Sequence, residues 1–70
     1  MKIWAVKDAN NDWHAINLLE VDMIFYTKKS LHITFKHTNG KDILVIEFKT
    51  KSKAINEFDD IIEFWREKND

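Results

Sequence analysis

His14, His32 and His37 are the histidines of this 70-residue chain, and with Ser30, Ser52 and a set of carboxylates they are its stock of reactive chemistry. A metal site needs several such groups on one face. His32 and His37 are five positions apart on a strand, which sends them to opposite faces. Across the hairpin that carries them, His32 meets Glu47 and His37 meets Asp42. These read as cross-strand polar pairs worth a few tenths to about 1 kcal/mol. Ser30 follows Lys28-Lys29 at a hairpin tip, and neither serine sits in a Gly-rich nucleophile elbow. There is no cysteine, so thiol catalysis, disulfides and Cys-based zinc sites are excluded. The only glycine, Gly40, is committed to a turn, which leaves no phosphate-cradling loop. Asp59, Asp60 and Glu63 fall on the solvent side of a helix, where general acid–base work finds no shielded cleft. The expectation is a protein that is not an enzyme, with no metal, no cofactor and no small-molecule substrate.

The elements that carry these residues follow from pattern. Residues 2–7 and Trp13–Asn17 are strand candidates joined by Asp8-Ala9-Asn10-Asn11-Asp12, a turn by composition. Leu18–Asp22 reads as a short turn, and Met23–Lys28 as a third strand rich in β-formers. Asn39-Gly40 is the strongest hairpin signal, a two-residue type I′ turn with positive φ at both positions. It pairs Thr38 with Lys41, and the register sets Phe35 opposite Leu44, Ile33 opposite Ile46 and Leu31 opposite Phe48 on one face. The other face pairs Lys36 with Ile43, Thr34 with Val45, and His32 with Glu47. Ala54, Ile55, Phe58, Ile61, Ile62 and Trp65 form a helical stripe about 120° wide. Ser52 is its N-cap candidate and Thr50 the alternative. The predicted fold is α+β, residues 1–70 as one domain: an antiparallel sheet of four to five strands packed on one C-terminal helix.

The net charge of −1 argues against bulk attraction to a polyanion. It is unevenly spread: residues 1–23 sum to −2, residues 24–53 to +5 and residues 54–70 to −4. No apolar run is long enough for a signal or a membrane span, so a cytoplasmic protein without membrane contact is expected. Short chains rich in Lys, Asn and Ile, with no linker, are of a kind common in bacteria and their phages.

Leu19-Glu20-Val21-Asp22-Met23-Ile24-Phe25-Tyr26, followed by Leu31-His32-Ile33-Thr34 and Thr38-Asn39-Gly40-Lys41, resembles the N-terminal part of a LytTR-type DNA-binding domain over residues 16–58. That family continues beyond its helix with a segment similar to Phe-x-Arg-x-His-x-Ser. Here Phe64-Trp65-Arg66-Glu67 matches only its start, so Arg66 alone is carried over as a candidate nucleic-acid contact. The resemblance implies a strand-rich domain with a C-terminal helix more than it implies a function.

Two binding readings remain. In the first, a regulatory protein acts through protein–protein contacts, with another protein or a second copy as partner. A helix covers one sheet face, and the other carries Thr34, Ile43 and Val45, either open or covered by the N-terminal hairpin with Trp4 or Trp13 as lid. Trp4, Trp13, Tyr26 and Phe64 are the aromatics least committed to the core, and Trp4, Trp13 and Phe64 complete the candidate partner surface. In the alternative, Lys28, Lys29, Lys49, Lys51 and Lys53, with Arg66, contact nucleic acid and act in transcriptional regulation.

Overall fold

The computed structural model describes residues 2–67. The order is β1 (Ile3–Lys7), β2 (Trp13–Asn17), a 3-10 turn (Leu18–Glu20), β3 (Met23–Thr27), β4 (His32–Lys36), β5 (Asp42–Glu47) and α1 (Lys51–Arg66). The class is α+β. The expected single sheet is instead two antiparallel ones, a β1–β2 hairpin and a β3–β4–β5 meander. The break lies at the 3-10 turn. The Asn17 side chain accepts from Leu19 N at 3.1 Å, and Leu18 N donates to the Lys2 carbonyl at 2.8 Å. Leu18, wholly buried there, turns the chain inward before β3 begins. The ends of the two sheets meet where Ala9 N donates to the Glu47 carbonyl at 2.8 Å.

The Asn-Gly hairpin forms with a different turn. Gly40 has φ +84°, whereas Asn39 does not enter the left-handed region. Gly40 N donates to the His37 carbonyl at 3.0 Å and His37 N to the Lys41 carbonyl at 2.9 Å. This is the three-residue loop with a left-handed glycine, not type I′. The loop shifts the register by one, and a bulge between Phe35 and Lys36 shifts it back. Ile43 is the extra residue. The two irregularities cancel, so Phe35↔Leu44, Thr34↔Val45, Ile33↔Ile46 and His32↔Glu47 stand as expected. The expected pairs Lys36–Ile43 and His37–Asp42 do not form. Lys36 pairs with Asp42 instead, its Nζ 3.1 Å from Oδ1.

The inner face of the meander presents Ile24, Ile33, Phe35 and Ile46, with Phe48 following β5. They pack with Ala54 and Ile61 of α1 and with Val6, Ile16, Leu18 and Val21 from the N-terminal part. Burying each larger side chain stabilises by about 1.5–3 kcal/mol. Thr50, not Ser52, caps the helix, its Oγ1 accepting from Lys53 N at 3.2 Å. Phe58, Ile62 and Trp65 pack against the core in part, while Ile55, expected there, is exposed.

A second face of α1 is covered by the hairpin. Glu57 and Phe64, seven residues apart, share that face. Trp4 Nε1 donates to Glu57 Oε2 at 2.8 Å, and the Trp4 ring lies 5.2 Å from the Phe64 ring, centroid to centroid. Phe64 therefore serves packing although it falls off the expected stripe. The hairpin flanks the helix and does not roof the outer face of the meander.

Candidate functional site

The outer face of the meander is a short ladder. Its middle rung is Phe25–Thr34–Val45, set by the antiparallel pairing of β3, β4 and β5. Met23 and Lys36 pair beside Asp42 at one end, and Thr27, His32 and Glu47 lie at the other. Phe25, Val45 and Met23 are 39%, 44% and 51% exposed, while Thr34 between them is only 7% exposed. Large apolar groups thus stand around a small central residue. Lys36 ties the rim to this row: its Nζ lies 5.3 Å from the Phe25 centroid as well as beside Asp42. Such a cation–π contact contributes about 0.5–1 kcal/mol at an exposed site.

Thr34 and Val45, expected on this face, are both there. Ile43 is half-buried at the bulge and packs against the core. The face includes two residues that the sequence pattern did not place on it, Met23 and Phe25. Alternation along β3 carries the signal: Ile24 is buried and Tyr26 half-buried, whereas Met23 and Phe25 are exposed. Every residue from Met23 to Tyr26 is apolar or aromatic, so period two alone does not say which set faces inward.

Trp4, Trp13 and Phe64 do not join this face, and Tyr26 packs against the core. Trp4 and Phe64 are half-buried against each other, and Lys2 Nζ lies 4.9 Å from the Phe64 centroid. Trp13 is 68% exposed on the hairpin, paired across β1–β2 with Lys7, whose Nζ is 5.2 Å from its centroid.

Lys28 and Lys29 lie in the β3–β4 turn, and Lys49, Lys51 and Lys53 run from the end of β5 into α1. Phe48 N donates to the Leu31 carbonyl at 3.0 Å, so these five lysines share one end of the meander. Arg66 does not join them. It lies at the far end of α1, about 20 Å along the axis from Lys53 by helix rise, with its Nη1 3.8 Å from Glu63 Oε2.

The remaining polar chemistry is dispersed. Ser30, Ser52, Asp59, Asp60 and Glu63 are exposed. No group of three His, Asp or Glu is gathered for a metal ion among the described residues. The Asp8 carboxyl is held below its usual range. Its closest partner is His14 Nε2 at 2.7 Å from Oδ2, and Oδ1 accepts from Asp12 N at 3.0 Å and Asn10 N at 2.8 Å. This cluster closes the β1–β2 turn. Among the described residues, no helix is long and apolar enough to cross a membrane. No family model, curated protein or solved structure matches the chain.

Proposed function

We propose a small non-catalytic binding protein of the regulatory type that acts through protein contacts at the outer face of the meander. The observation that carries this reading is the row Phe25–Thr34–Val45 with Met23 beside it, whose large side chains are 39–51% exposed on a sheet face with no element over it among the described residues. The occupant we propose is a second copy of the chain. The rim carries both signs, Lys36 and Asp42 at one end and His32 and Glu47 at the other. A two-fold axis along the Phe25–Thr34–Val45 row superposes the apolar centres and brings Lys36 of one copy to the His32–Glu47 end of the other.

Strand geometry makes the face about 17 Å by 14 Å. That is small beside the roughly 800 Å² per partner of a standard interface, so the dimer should be weak and concentration-dependent. Sedimentation equilibrium across a concentration series tests this. Association that rises with concentration and is lost in Val45→Lys supports the reading. A wild-type chain that stays monomeric throughout contradicts it.

A further inference from the structure

Between the hairpin and the first half of α1 lies a cleft of about 340 Å³, lined by Trp13, Ala5 and Val6 of the hairpin and by Phe48, Lys53 and Glu57. This volume is at the lower end for small-ligand sites, about 300–1,000 Å³. A smaller hollow of about 90 Å³ adjoins it, sharing Lys7, Phe48 and Lys53 and adding Lys49 and Asp8. The exposed indole lines the cleft, Lys49 lines the hollow beside it, and Lys7 and Lys53 line both.

The charges there are not balanced by pairing. Among the described residues, Lys7, Lys49 and Lys53 have no salt-bridge partner. Both nearby carboxylates are already engaged. Asp8 is held by His14 and two backbone N–H groups, and Glu57 accepts from Trp4 Nε1. Among the described residues the site thus offers two cations in no ion pair or ring contact, Lys49 and Lys53, with Lys7 Nζ 5.2 Å from the centroid of an indole that is 68% exposed.

We propose that this cleft binds one nucleotide of single-stranded nucleic acid, the base against Trp13 and the phosphate at the corner of Lys7, Lys49 and Lys53. The combination selects the ligand. An acidic peptide would satisfy the lysines, but a carboxylate gains nothing from the negative face of an indole. A duplex has its bases stacked inward and offers no free π-face to a wall inside a cleft. An unpaired nucleotide supplies both parts, and stacking tolerates any base. The cleft shares no residue with the outer sheet face, so this proposal and the dimer stand or fall separately.

The test is a titration of the ¹⁵N-labelled full chain with a short oligothymidylate at low salt, followed by NMR. The Trp13 indole signal and the amides of Lys7, Phe48 and Lys53 should shift, while Phe25 and Val45 stay in place. Trp13→Ala should keep its circular dichroism and raise Kd about tenfold, the scale of one lost base stack. One neutralised phosphate sets a log–log salt slope of about −0.7. Four results each overturn the proposal: no shift at low salt, a Trp13→Ala variant binding as tightly as wild type, polyglutamate of matched charge shifting the same signals equally, or shifts centred on Lys28 and Lys29.

Discussion

Trp4 donates its indole N–H to the Glu57 carboxylate at 2.8 Å, and this hydrogen bond joins the first strand to the helix. It holds the hairpin beside α1 and thereby leaves the outer face of the meander uncovered. Trp4→Phe keeps a ring against Phe64 but removes the donor, leaving a half-buried carboxylate without its partner. The expected cost is about 1–3 kcal/mol by chemical denaturation. Glu57→Gln retains an acceptor and should cost less. A Trp4→Phe variant as stable as the wild type would mean that ring packing, not the hydrogen bond, fixes the hairpin.

Tyr26 and Trp65 each bury a polar atom, the Tyr26 hydroxyl and Trp65 Nε1, with no hydrogen-bond partner among the described residues. An unmet buried group is a desolvation cost that no bond returns. Tyr26→Phe should therefore be neutral or stabilising, by up to about 1 kcal/mol, since the ring keeps its place 6.2 Å from Phe58. A clear drop in melting temperature would show that the hydroxyl is bonded.

Gly40 sits at φ +84° with nothing within 4 Å of an added Cβ. Any loss on substitution thus reads backbone strain alone. Gly40→Val should cost about 2 kcal/mol, because a β-branched residue resists this region, and Gly40→Asn much less. Leu31, at φ +57°, supplies the converse. Leu31→Gly should be more stable than Leu31→Ala by about 1 kcal/mol, the reverse of their order in an ordinary strand or helix.

Asp8 gives the acid limb of stability a defined direction. Its carboxyl is lowered first by the His14 hydrogen bond and then by backbone N–H groups. A carboxyl lowered on folding contributes fully above its unfolded value and loses that contribution as pH falls through the folded one. Stability should therefore decline on acidification below the ordinary carboxylate range. Asp8→Asn should flatten that limb. An unchanged profile would show that the turn does not hold the carboxylate in solution.

Much of the fold was legible because local and long-range signals agreed. The sorting of Phe35, Leu44, Ile33 and Ile46 onto one face required a register that the Asn-Gly pair supplied within a residue. The loop was one residue longer than its strongest signal implies, and the bulge at Ile43 compensated. A sequence holds no separate mark for two shifts that cancel. The helix stripe was readable from period 3.6, but Phe64 was not, since its partner Trp4 is sixty residues away. The split into two sheets turns on Leu18 plugging the core after β2, which a short apolar turn does not announce. Of the candidate face, Thr34 and Val45 were legible from the hairpin. Met23 and Phe25 needed the pairing of β3 with β4.

Val45 is the most direct probe of the open face. Sedimentation equilibrium of the wild-type chain and Val45→Lys, each checked by circular dichroism, compares association in two molecules with one fold. Val45 is 44% exposed, so the lysine reaches water in the monomer and the spectrum should not change. At a docked face the same ammonium is buried without a partner, which should raise the dissociation constant well over tenfold. A folded Val45→Lys variant that associates as the wild type does, or a wild-type chain that never associates, would contradict the proposed role of this face.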